Sequence, residues 1–228
     1  MVSIHISGVK KFFHEGEHVV HAINGIDLSL EKGEFAALAG PSGSGKTTLL
    51  NLIGGLDRPD EGTISIGDVT TNERSDDELT ELRLHKIGFI FQAYNLIPVL
   101  TAYENIQFIL QIQGVREHEQ RERIMPLLES LGMKGLENRF PTQLSGGQQQ
   151  RVAVARAVIG NPSIVLADEP TANLDSETAK NLLNLMRQLN DEKGVTFLFS
   201  THDSLVIERA RRVIRLRDGK VQSDEQKE

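Results

Sequence analysis

Cysteine and tryptophan are absent from the 228 residues, and tyrosine occurs only twice. Without cysteine there is no disulfide framework, no thiol nucleophile and no thiolate zinc site. No uninterrupted apolar run approaches the roughly 20 residues that span a bilayer as a helix. The opening Met1-Val2-Ser3-Ile4-His5 lacks the basic-then-apolar layout of a secretory signal. Positive charge is also short, with 25 Lys and Arg against 32 Asp and Glu for a net charge of −7. A nucleic-acid binder ordinarily carries a basic surface to neutralise phosphates, so no nucleic-acid partner is expected. The chain reads as soluble and cytoplasmic, and another polypeptide must hold it if it works at a membrane. Its 39% hydrophobic and 25% charged residues are ordinary for a globular protein that buries a core unaided.

The hydrophobic pattern divides the chain. Ile4 and Ile6, then Ile26, Leu28 and Leu30, alternate with polar neighbours, as half-buried antiparallel strands do. Phe35–Ala39 is a continuous apolar run ending at Gly40, the pattern of a strand buried on both faces. A helix is expected from near Gly45 to about Gly54, a strand over Thr63–Ile66, a helix over Asp76–Lys86 and a buried strand over Ile87–Phe91. Between 93 and 143 the strand signal disappears, and Thr101–Gln113 and Glu117–Leu131 read as helices of an inserted helical subdomain. Alternation resumes with strands at Ser163–Ala167, Val195–Ser200 and Val213–Leu216 and helices at Ser176–Glu192 and Asp203–Ala210. Residues 223–228 form a polar tail expected to fray. The whole predicts one α/β domain with a mainly parallel central sheet and an N-terminal antiparallel β subdomain. Its core takes residues 1–92 and 144–222, and the helical subdomain 93–143.

Gly40-Pro41-Ser42-Gly43-Ser44-Gly45-Lys46-Thr47 matches the P-loop pattern in full, between a buried strand and a helix, with Thr48 continuing the same turn. The glycines let the backbone wrap tightly and aim its N–H groups at phosphate oxygens, and the helix N-terminus adds positive potential. Lys46 can reach the β and γ phosphates, and the Thr47 hydroxyl can ligate Mg²⁺. A P-loop needs a metal-holding acid at the end of a neighbouring strand, which Ile164-Val165-Leu166-Ala167-Asp168 supplies. Glu169 follows at once, where a carboxylate can polarise an attacking water. Leu144-Ser145-Gly146-Gly147-Gln148 is a second helix start, with Ser145 as N-cap and two glycines that expose backbone N–H groups to an anion. Two phosphate-binding helix starts with one acid pair suggest a nucleotide shared between two chains.

The ordered set of the P-loop, Gln92, Leu144–Gln148, Asp168-Glu169, Asn173-Leu174-Asp175 and His202 resembles the nucleotide-binding subunit of an ATP-binding cassette (ABC) transporter over essentially the whole chain. The resemblance implies a P-loop NTPase core, ATP and Mg²⁺ as ligands, and a homodimer in the ATP-bound state. It also implies a separate integral membrane permease at the cytoplasmic face of the inner membrane, with this chain bound peripherally. By that resemblance Gln92 contacts the metal or the attacking water and relays to the membrane partner. Ser145, Gly146 and Gly147 reach the γ-phosphate held by the opposite subunit, and Gln148 belongs with them to the nucleotide-binding set. Asp175 crosses the dimer interface, His202 contacts the γ-phosphate and positions Glu169, and Phe13 (or its neighbour Phe12) stacks on adenine. Leu52–Pro59, Phe89–Pro98 and Leu144–Arg151 are most similar to the lipoprotein-releasing and macrolide-export branch, although Ala172 stands where that branch often has Gly. An ATPase of a cell-division or importer complex is the alternative.

The other function classes fit less well. Chromosome-associated ABC ATPases place a long coiled coil between P-loop and signature, whereas here 98 positions separate Thr47 from Ser145. Translation factors of this class carry two cassettes, and this chain carries one. His14, His18 and His21 are read as a solvated loop rather than a metal site, and Asp76-Asp77-Glu78 as a helix start that meets the dipole favourably. The segment from Gln92 to about Pro141 is expected to dock the membrane partner through Tyr94, Leu96, Ile97 and Tyr103.

Overall fold

The computed structural model describes residues 2–16 and 18–227. Two sheets organise it. Strands β1 (Val2–Glu15), β2 (His18–Glu31), β4 (Glu61–Ile66) and β5 (Val69–Thr70) form an antiparallel sheet in the order β2-β1-β4-β5. The alternation of Ile26, Leu28 and Leu30 puts every second side chain of β2 into the core. The second sheet has the order β10-β9-β3-β8-β7-β6, built from β3 (Phe35–Ala39), β6 (Ile87–Ile90), β7 (Ile164–Asp168), β8 (Phe197–Thr201), β9 (Arg212–Arg217) and β10 (Lys220–Gln226). All its pairings are parallel except the β9–β10 hairpin. Strands β3 and β8 are buried at every position, as expected where both faces are covered.

Helix α1 (Lys46–Ile53) lies between the two sheets and buries Leu49, Leu50, Leu52 and Ile53. Helix α2 (Asp76–Lys86) starts where the acid run predicts, and Ser75 and Glu78 close a reciprocal capping box. Residues 93–143 carry α3 (Ala102–Ile112), capped the same way by Thr101 and Glu104, and α4 (Glu117–Ser130). Helices α5 (Gly146–Val158), α6 (Ser176–Lys193) and α7 (Ser204–Arg209) complete the order. A second core joins α3, α4, α5 and α6 to the other face of the parallel sheet through Ile106, Leu110, Leu128, Val154 and Leu183.

Three expectations need correction. The tail does not fray from Ser223: β10 runs to Gln226 and pairs with β9 along its length. Arg212 anchors it, donating from Nε and Nη2 to the Asp224 carboxylate at 2.8 and 2.7 Å and from Nη1 to Glu34 at 2.9 Å. His14, His18 and His21 lie on the β1–β2 hairpin rather than in a loop, and His21 packs edge-on against Phe12 at 4.8 Å between ring centroids. Asp168 does not end a strand adjacent to the P-loop strand, because β8 stands between β3 and β7.

Candidate active site

Parallel pairing of β3, β8, β7 and β6 brings the carboxyl ends of four strands to one edge, where ligands bind in open α/β sheets. Each strand delivers one functional segment there: the P-loop after β3, Thr201-His202 at the end of β8, Asp168-Glu169 at the end of β7 and Gln92 after β6. A cavity of about 850 Å³ opens at this edge, lined by Pro41, Ser42, Gly43, Gly45, Lys46, Thr47, Thr48, Gln92, Glu169 and His202. Val20, His21, Ala22, Ala172 and Asp218 complete its wall. Val20, Ala22 and Asp218 were not legible in advance, since a residue that only lends a wall has no motif.

The P-loop is a phosphate cradle by geometry. Gly45 sits at φ 99° as the N-cap of α1, and a Cβ there would meet the Ala22 carbonyl oxygen at 2.5 Å, so both backbone and packing demand glycine. The first turn of α1 carries no acidic side chain to offset its positive end. Lys46 is nearly buried and donates to the carbonyls of Gly40 and Pro41, at 2.9 Å each, which holds its ammonium against the loop. The β9–β10 turn braces the loop from outside, with the Gly219 N–H donating to the Ser44 carbonyl at 3.2 Å.

Across the cavity the Thr47 hydroxyl lies 3.2 Å from both carboxylate oxygens of Asp168. A hydroxyl and a carboxylate converging at a phosphate site are hard oxygen donors of the kind Mg²⁺ takes, so the residues fit that ion. Glu169 has φ 45°, a left-handed conformation that costs a non-glycine residue about 1–3 kcal/mol. The surroundings hold it there. Its N–H donates to the Ser200 carbonyl at 2.9 Å, and its own carbonyl accepts from the Ala172 N–H at 3.2 Å. Thr201 Oγ1 donates to one carboxylate oxygen at 3.1 Å, and His202 Nδ1 lies 2.6 Å from the other. An ionised carboxylate only accepts, so Nδ1 is the donor in this contact, and a proton on the opposite ring nitrogen as well would let the ring donate to a phosphate oxygen. The Glu169 side chain is only 15% exposed against 71% for His202, so the carboxylate is sheltered and the imidazole is not.

Gln92 is exposed at the cavity mouth, and the chain behind it is pinned. Its carbonyl accepts from Asn173 Nδ2 at 2.8 Å. Tyr94 and Asn95 follow with positive φ, and the Arg156 guanidinium of α5 donates to both of their carbonyls. Burial pushes the Arg156 guanidinium below its ordinary pKa.

The helix start at Ser145 lies apart, since Ser145, Gly146, Gly147 and Gln148 contribute nothing to the cavity wall. Ser145 Oγ accepts from the Gln148 N–H at 3.3 Å and Gln148 Oε1 from the Ser145 N–H at 2.9 Å. The capping box leaves the N–H groups of Gly146 and Gly147 for an external acceptor. Asp175 caps α6, accepting from the N–H groups of Glu177 and Thr178. The Thr178 hydroxyl, then its backbone N–H, hold that carboxyl below the usual carboxylate pKa range. Phe13 also stays off the wall. It is 41% exposed, pairs across the hairpin with cavity-lining Val20, and has Lys11 Nζ 5.5 Å from its ring centroid.

These features define a P-loop nucleotide-binding protein of the α/β class, with an acid beside the P-loop threonine and an oriented carboxylate at the phosphate end. Residues 23–172 match the ABC transporter family model, and the chain belongs to that family as an ABC-type ATPase. It is 47% identical to the ABC transporter ATP-binding protein MJ0796 of Methanocaldococcus jannaschii, covering 97% of this chain and 96% of that protein. It is 46% identical to the lipoprotein-releasing system ATP-binding protein LolD 1 of Rhodopseudomonas palustris, covering 95% and 96%. The macrolide export ATP-binding/permease protein MacB of Mannheimia succiniciproducens is 45% identical over 98% of this chain, which spans 35% of that longer protein. Among solved structures, the dimeric post-hydrolysis state of the MJ0796 cassette bound to ADP and Pi superposes with a TM-score of 0.89, at 44% identity and 98% coverage of both chains.

Proposed function

We propose that this chain is the ATP-hydrolysing subunit of a transporter of the lipoprotein-releasing or macrolide-export type, acting as a homodimer on a separate membrane permease. One observation carries the shared-site reading: the cavity gathers Lys46, Thr47, Gln92, Glu169 and His202, whereas Gly146 and Gly147 stand outside its wall at the start of α5. In the dimer the Gly146 and Gly147 N–H groups of one protomer close over the γ-phosphate held by its partner, and Asp175 lies at the contact. Ser145 and Gln148 keep that helix start in shape.

The P-loop N–H groups and Lys46 bind and orient the phosphates. Thr47 and Asp168, with Gln92, would hold Mg²⁺, which supplies charge neutralisation at the β and γ oxygens. Glu169 takes a proton from the attacking water, oriented by Thr201 and by His202, whose remaining ring nitrogen is directed to the γ-phosphate. Phe13 stacks on adenine through its exposed ring. Phe13→Ala is expected to weaken ATP binding by about 1–3 kcal/mol without unfolding the chain, measured by equilibrium nucleotide titration. An unchanged affinity there with a loss in Phe12→Ala would move the assignment to Phe12.

Among the described residues no helix is long and apolar enough to cross a membrane. Leu96 and Tyr103, expected as anchors, are half-buried against the chain's own core. A groove of about 520 Å³ replaces them, lined by Ile97, Leu56, Phe89, Phe108, Ile109 and Ile112. Leu56, Phe108 and Ile112 are 50%, 40% and 53% exposed, enough apolar surface to seat a cytoplasmic helix of the permease. Phe108→Glu and Ile112→Glu are expected to release the chain from the membrane fraction while nucleotide titrations stay unchanged. Co-purification in mild detergent checks this and identifies the permease. Undiminished co-purification of both variants would count against the groove.

A further inference from the structure

Gln150 belongs to α5 but serves neither its exposed face nor its start. It is fully buried, and its Nε2 donates to the Pro170 carbonyl at 2.9 Å. Its Oε1 has no hydrogen-bond partner among the described residues, an uncommon state for a buried amide. Pro170 follows Glu169, so this bond falls on the peptide just after the left-handed turn. Among the described residues the other hydrogen bonds of Glu169 come from the β8 side or from within the turn: the Ser200 carbonyl, the Thr201 hydroxyl, His202 and the Ala172 N–H. One residue further, the buried Thr171 hydroxyl donates to Asp203 at 2.8 Å, again on the β8 side. Gln150 is the brace that reaches the turn from α5.

We infer that Gln150 is a positioning residue for Glu169, acting through the Pro170 carbonyl. It rests on the reading of Glu169 as the base that takes the proton from water. With the Pro170 peptide fixed from the α5 side, the strained turn cannot relax toward an extended backbone, which would swing the carboxylate off Thr201 and His202. An apolar side chain of equal length would remove the orphaned Oε1 but would leave the Pro170 carbonyl without its donor. Its presence fits a demand for the donor.

Gln150→Met keeps the volume and removes the donor, and Gln150→Asn keeps the amide but shortens its reach. Both are expected to lower kcat for Mg-ATP by about 10–100-fold, the scale of a misplaced reacting group. KM for ATP should stay within about twofold, because Lys46, Thr47 and the P-loop are untouched. Combined with Glu169→Gln, Gln150→Met should add no further loss of residual turnover, and the double variant should dimerise with ATP as Glu169→Gln alone does. Parental kcat in either folded variant, a loss carried by KM, or loss of the fold in both would overturn the proposal. Failure of Glu169→Gln itself to lose turnover would instead strike at the general-base reading, so the two failures are distinguishable.

Discussion

Glu169→Gln is expected to lose nearly all ATP turnover and to become a dimer when Mg-ATP is added. The amide keeps the shape of the carboxylate and an acceptor for Thr201, but it no longer takes a proton from water. ATP binding does not depend on that charge, since Lys46, Thr47 and the loop N–H groups lie on the other side of the cavity. Once the γ-phosphate is bound, the free Gly146 and Gly147 N–H groups of a second chain can close on it, and nothing then removes it. Two such chains make two equivalent sites in a contact that closes on itself. The change also withdraws two carboxylate charges from a phosphate-rich interface. Light scattering after gel filtration, with and without Mg-ATP, reads the result. An inactive variant that stays monomeric at saturating Mg-ATP would sink the shared-site mechanism while leaving nucleotide binding intact.

The largest effect on stability is expected from Arg212→Met. The Arg212 side chain is 11% exposed and its Glu34 partner 16%, so this ion pair is largely out of water. Hydrogen bonds to Asp224, then to Glu34, raise the Arg212 pKa above its ordinary value despite opposing burial. Arg212 also donates to the Ser29 carbonyl at 2.8 Å, so one guanidinium ties β9 to β10, to the β2 end and to the turn before β3. Removing it leaves Glu34 charged and short of a partner, and the loss is expected to be about 3 kcal/mol, the low end for a broken buried pair because Asp224 keeps water. Urea unfolding, read as a shift in midpoint at constant slope, checks it. Nucleotide affinity should also fall, because the β9–β10 turn that Arg212 helps hold carries Gly219 against the P-loop and Asp218 into the cavity wall. An unfolding free energy within about 0.5 kcal/mol of the parent, the range of an ordinary surface substitution, would show that Asp224 and Glu34 are solvated well enough to do without Arg212.

The residues whose meaning is local were legible without a structure. The P-loop, the Asp168-Glu169 pair and the Ser145 start each lie within a few consecutive residues, and glycine spacing or a cap demands the same backbone wherever it occurs. Helix α2 begins at Asp76 and ends at Lys86 as its acids and periodicity foretell, since Ser75 and Glu78 close their box within one turn. Placement across the sheet was a different matter. That β8 intervenes between β3 and β7 depends on how two helical layers and a second sheet share the core, and no segment of β8 encodes its neighbours. Strand β10, with Ser223, Asp224, Glu225 and Gln226, has no apolar alternation to announce it. Backbone pairing with β9 and the Arg212 anchor hold it instead. Gln150 looked like one more helix former, and its reach to Pro170, 20 positions on, appears only when α5 packs beside the β7 end. Motif chemistry is written in contiguous residues, whereas strand order, cavity walls and buried braces come from long-range packing, in which many sequences with the same local pattern differ.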